Sequence, residues 1–217
     1  SGFKAEAGRY HLYVSLACPW AHRTLIFRRL KRVENFIGLS IVDPIMADQG
    51  WTFNDSPGSI SDPLFGARHM HEIYAQARPK YSGRASVPVL WDRESATIVN
   101  NESSEIIRMM NCEFAALAPE TPDYYPESIR GEIDMVNKRG YTDINNGVYR
   151  AGFATTQAAY EEALDQLFAA LDWVEERLGS RRYALAATAF FQTNTAAAEV
   201  LYDIIRSAAG GGRRLLD

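Results

Sequence analysis

The order of strand and helix signals predicts an α/β domain built on a mixed sheet, followed by an all-α domain. Three observations carry this. Strand and helix patterns alternate over residues 1–112 as β-α-β, an irregular stretch, then β-β-α. A segment at 113–126 holds Pro119, Pro122 and Pro126 and reads as a linker. From 127 to 217 the periodic segments have helical spacing.

The elements follow in order. Residues 10–16 alternate apolar and polar side chains and read as a strand. Residues 19–31 read as a helix, with Pro19 suited to the first helical position. Leu39–Val42 is a second strand, and residues 44–66, rich in Pro, Gly, Asp and Ser, form a long loop of the kind that usually carries function. Residues 67–77 are helical. Residues 87–91 and 96–99 make two short strands joined by the polar turn Asp92-Arg93-Glu94-Ser95, and Asn100 to Met110 is a helix that opens on capping-type residues. This order matches a thioredoxin-like layer.

In the second half, residues 127–146 give a weaker helical pattern. Leu164, Leu167, Phe168, Leu171, Val174 and Leu178 mark a strong one. From about 184 an alanine-rich tail runs to Gly210-Gly211-Gly212, with a further helix expected over 195–208.

Composition narrows the function classes. The chain has 217 residues, 47% of them hydrophobic, and a net charge of −4. There is no basic stripe for nucleic acid and no apolar run of the roughly 20 residues that a membrane span needs. No apolar signal region stands at the start, so a cytoplasmic location is expected. The two cysteines, Cys18 and Cys112, are far apart and argue against a structural disulfide. Cys112 reads as a partly buried small apolar residue.

Cys18 is different. It ends a strand, precedes Pro19 and opens a helix, where free backbone N–H groups and the helix dipole favour thiolate. A lone Cys-Pro-x-x site cannot resolve its own mixed disulfide and needs an external thiol, glutathione being the obvious one. Val87-Pro88, at the start of the third strand, is expected to be cis in this order of elements. Ser103 and the N–H groups at its helix start are able to hold a carboxylate, while Glu102 pairs with an ammonium; a plain N-cap explains them equally well. His22, at i+4 from Cys18, is assigned to packing or surface. His69 and His71 do not share a helix face and no cysteine or carboxylate cluster joins them, so no metal is expected.

The quoted motifs carry a resemblance. Gly8-Arg9-Tyr10-His11-Leu12-Tyr13-Val14-Ser15, then Ala17-Cys18-Pro19-Trp20-Ala21-His22-Arg23-Thr24, resembles the glutathionyl-hydroquinone reductases, the Xi class of glutathione S-transferases. Gly50-Trp51-Thr52-Phe53, Tyr81-Ser82-Gly83-Arg84, Val87-Pro88-Val89-Leu90-Trp91-Asp92, Asn101-Glu102-Ser103 and the run from Asn145 to Ala154 are similar to the same family. The match runs from about Gly2 to Tyr183.

The resemblance implies a glutathione S-transferase architecture in a cytosolic enzyme, usually a homodimer. Glutathione is its co-substrate and glutathionylated aromatic hydroquinones are its substrates. It implies Cys18 as the catalytic cysteine, Trp51, Arg84, Val87, Glu102 and Ser103 as glutathione-site positions, and Tyr149 as lining the hydroquinone pocket. After Tyr183 the family continues into a helical region that brings further pocket tyrosines, and the alanine-rich tail departs from it. Two other readings share the single cysteine: an Omega-like thiol transferase or dehydroascorbate reductase, and a non-catalytic glutathione-binding protein.

Overall fold

The computed structural model describes residues 2–118 and 120–178; the expected helix at 195–208 lies outside them. The described residues divide into two compact units after Asp123.

The first unit is built around strand β1 (Tyr10–Ser15), all six of whose residues are buried. Strand β2 (Ile37–Val42) pairs parallel to it, from Tyr10 opposite Ile37 to Ser15 opposite Val42. A parallel pair needs a crossover, and helix α1 (Pro19–Leu30) supplies it. Strands β3 (Val89–Asp92) and β4 (Thr97–Asn100) form an antiparallel hairpin whose β3 edge pairs antiparallel with β1. The order β2-β1-β3-β4 is the mixed sheet expected from the sequence.

Each element has a local cause. Pro19 fixes its own φ at the start of α1, and Arg28 and Arg29 sit in the last turn, where cations favour the dipole. The Arg28 guanidinium also donates to the carbonyls of Glu34 (2.7 Å) and Ile37 (2.7 and 3.0 Å), fastening the end of α1 to the start of β2. Helix α2 (Met70–Ala77) is preceded by the long loop, and helix α3 (Ser103–Cys112) follows β4. One face of β1 turns Tyr10 onto Phe114, rings edge-on at 5.1 Å. The other face carries His11 and Tyr13 toward the loop. His11 Nε2 lies 2.8 Å from Ser40 Oγ, and the Tyr13 hydroxyl donates to Asp62 (2.9 Å). Asp62 in turn accepts from the amides of Leu64, Phe65 and Ala67. The loop is therefore long without being loose.

The second unit is helical. Helices α4 (Arg130–Arg139) and α5 (Asn146–Gly152) are joined through a π-helical stretch, Gly140–Asn145, into one run. That run extends six residues past the 127–146 pattern, from Gly147 to Gly152. Helix α6 (Gln157–Leu178) matches the strong pattern, but its buried residues are Ala163, Leu167 and Ala170, while Phe168 and Leu171 are exposed. No described helix is long and apolar enough to cross a membrane.

Candidate active site

The site forms where β1 ends, α1 begins and the loop ahead of β3 comes alongside. Cys18 is the N-cap of α1, with extended backbone (φ −100°, ψ 111°), so its side chain stands beside the first turn of the helix. Its thiol donates to the Val87 carbonyl at 3.7 Å. The Val87–Pro88 bond is cis, as expected, and Val87 is buried.

The electrostatics of Cys18 correct the expectation of an acidic thiol. Burial pushes its pKa up, and the amides of Ala21 and Trp20 pull it down by less. The helix start favours thiolate as expected; removal from water disfavours it more. Cys112 is corrected in the opposite sense. It is exposed at the end of α3 rather than partly buried: the same turn buries Met110 and Asn111 and leaves Cys112 on its outer side.

Glu102 and Ser103 form the second corner. Glu102 is the N-cap of α3, and its carboxylate accepts from the Ser104 amide (3.2 Å) and the Ser104 hydroxyl (3.1 Å). Ser103 is buried. Both are held by a residue the sequence reading passed over: Arg23 donates from Nε to Ser103 Oγ (2.9 Å) and pairs with Glu102 (3.4 Å). Its guanidinium also lies over the Trp20 ring, 5.2 Å from the centroid. Arg23 lies on α1, five positions after Cys18, so one helix carries both the thiol and the cation at the mouth of α3.

A second passed-over residue ties the corners together. The buried Tyr74 hydroxyl accepts from Asn101 Nδ2 (3.1 Å) and donates to the Ser86 carbonyl (3.0 Å). One phenol thus braces the residue before Val87 and the residue before Glu102.

Trp51 is delivered by the long loop and packs, partly buried, against the core. Gly50 before it has φ +83°, a conformation that favours glycine. The Trp51 carbonyl accepts from the Met70 amide at the start of α2 (2.9 Å). Arg84 is exposed on the loop before Val87. Tyr149 belongs to the second unit, on α5, where its ring stacks with that of Phe153 (6.2 Å, 12°). Cys18, Val87, Glu102, Ser103, Trp51 and Arg84 all lie in the first unit.

One carboxylate, Glu72, does stand beside the histidine pair. His69 is the N-cap of α2 rather than a helical residue, so its ring stacks on that of His71 (5.0 Å, 20°), and Glu72 meets His69 Nδ1 at 2.9 Å.

The comparisons with known proteins agree with the fold. Residues 17–112 match the family model described as glutathione S-transferase, N-terminal domain. Over 183 residues the chain is 55% identical to glutathionyl-hydroquinone reductase YqjG of Escherichia coli, covering 84% of this chain and 56% of that protein. Over most of its length the chain is similar to solved Xi-class glutathione S-transferases. A second relative, glutathionyl-hydroquinone reductase PcpF of Sphingobium chlorophenolicum, is 50% identical over 84% of this chain and 58% of its own length. The glutathione-bound structure of YqjG from Escherichia coli superposes with a TM-score of 0.81 at 54% identity, covering 84% of this chain and 60% of that one. The chain thus spans a little over half the length of these two curated relatives.

Proposed function

We propose that this chain carries the glutathione-dependent reduction of S-glutathionyl hydroquinones, with Cys18 as nucleophile. The observation that carries the reading is the lone Cys18 sulfur beside the Val87 carbonyl, on the helix that also brings Arg23 to Ser103 and Glu102. The names of the two curated relatives support the substrate class.

The chemistry runs in two exchanges. The Cys18 thiol loses its proton, and the thiolate attacks the glutathione sulfur of the substrate. A Cys18–glutathione disulfide forms as the sulfur–carbon bond to the ring breaks. The electron pair leaves on the ring carbon, which takes a proton, and Tyr149 is the proposed donor to that carbon or to a ring oxygen. The thiolate of a second glutathione then attacks the mixed disulfide, giving glutathione disulfide and regenerating Cys18. Trp51, Arg84, Val87, Glu102 and Ser103 are the proposed glutathione contacts. In this assignment Glu102 faces the γ-glutamyl ammonium, and Ser103 with the cation of Arg23 faces its carboxylate. The same reading includes a homodimer in the cytoplasm, which sedimentation of the purified protein and localisation of a tagged copy check.

The test compares turnover of a glutathionylated quinol, dehydroascorbate and a small mixed disulfide. The quinol is expected to react fastest. Preference for dehydroascorbate points instead to an Omega-like activity, and glutathione binding without turnover of any of the three points to a binding protein.

A further inference from the structure

His69, His71 and Glu72 form a second cluster of reactive side chains, and the proposed reduction does not use them. The extended backbone of His69 (φ −133°, ψ 147°) takes its ring off the helical path. His71, two residues later, then lies beside it with the two ring planes only 20° apart. Glu72 reaches back to the pair, and one ligand atom from each of the three residues lies within 4.8 Å of the others.

Two imidazoles and a carboxylate are the donor set that suits zinc and its neighbours among the divalent transition metals. Nitrogen and oxygen ligands about 2.0–2.1 Å from a tetrahedral ion stand roughly 3.3 Å apart. The donors therefore have to close by about 1.5 Å at most. That is within reach of side-chain rotation, because His71 is exposed and the other two are only partly buried. The backbone beneath them is fixed: Thr52 pairs with His69, and the Met70 amide donates to the Trp51 carbonyl at 2.9 Å.

The same carboxylate has a structural task, since Glu72 also accepts from the His69 amide (3.1 Å) and helps cap α2. That task employs Glu72 and His69 and leaves the stacked position of His71 unexplained. The geometry points to His69, His71 and Glu72 as a three-ligand site for a divalent transition metal of the zinc type, with the remaining coordination position open to water. An ion there would take the place of the direct contact between His69 Nδ1 and Glu72 and tie together three side chains at the start of α2.

The test titrates Zn²⁺ and Co²⁺ into the whole chain carrying Cys18→Ser and Cys112→Ser, so that neither thiol competes for the metal. One equivalent of Co²⁺ is expected to give visible bands without a thiolate charge-transfer band, and Zn²⁺ to displace it and raise the melting temperature. His71→Ala and Glu72→Gln are each expected to weaken binding at least about tenfold. His71→Ala removes an exposed ring that makes no cap, and far-ultraviolet circular dichroism checks that the fold is kept. Absence of saturable binding overturns the inference. So does a site whose affinity His71→Ala leaves unchanged.

Discussion

Arg23 shows how much one side chain settles at this site. It stands on the helix opened by Cys18, yet its hydrogen bonds go to residues 79 and 80 positions away. Arg23→Gln is predicted to raise the KM for glutathione by roughly tenfold, the loss expected of a charge-assisted contact, with a smaller effect on kcat. Steady-state kinetics with glutathione varied checks this, and an unchanged KM removes Arg23 from the account. Cys18 leads to a pH prediction. Burial raises its pKa, so alkylation of Cys18 is predicted to have a midpoint above that of an ordinary cysteine thiol. In the free protein the rate should keep climbing through neutral pH into the alkaline range. The exposed Cys112 can be followed in the same digest as an internal comparison.

Helices and strands were legible in the sequence wherever one signal dominated. Alternation set β1, Pro19 set the start of α1, and the four polar residues from Asp92 to Ser95 set the β3–β4 turn. The run from α4 to α5 was less legible because Gly140 and Asn145-Asn146-Gly147 are poor helix formers. Packing carries the helix through them: a Cβ added at Gly147 would already touch Leu167 of α6 at 3.5 Å. In the site, Cys18, Val87, Glu102 and Ser103 were legible because each sits at a strand end or helix start. Arg23 and Tyr74 were not, because their partners are distant in the chain and nothing local marks them. The thiol's raised pKa was hidden too, since burial is a property of the folded unit. Two substitutions test the elements. Tyr74→Phe removes the brace between Ser86 and Asn101 and is predicted to lower stability by about 1 kcal/mol and to raise the KM for glutathione. Gly38→Ala would push a methyl group into the buried His11 ring across β1 and β2. It is predicted to lower stability by about 1–3 kcal/mol in urea denaturation.

The whole first unit should respond to acid through two buried groups. Burial holds the His11 pKa at about 4, below its ordinary 6.5. The native state therefore refuses a proton that the unfolded chain accepts between those values, and stability falls as pH drops from 6.5 toward 4. Asp92 is held at about 2 by hydrogen bonds chiefly from Arg9, whose guanidinium meets both carboxylate oxygens (2.7 and 2.8 Å). Its contribution is complete above its unfolded value of 3.8 and is lost as pH falls from there toward 2. Melting temperature against pH is predicted to decline in both windows, and Asp92→Asn to remove only the lower one. The sequence could not foretell this, because both groups owe their shifts to neighbours brought in by the sheet.

The central claim concerns the Cys18 sulfur. The direct measurement mixes the protein with one equivalent of a glutathionyl-hydroquinone, without free glutathione, and locates any adduct by mass spectrometry of peptides. The account predicts one glutathione on Cys18, none on the exposed Cys112, and release of glutathione disulfide when glutathione is added. Hydroquinone formation with no adduct on Cys18, or undiminished turnover by Cys18→Ala, would contradict it.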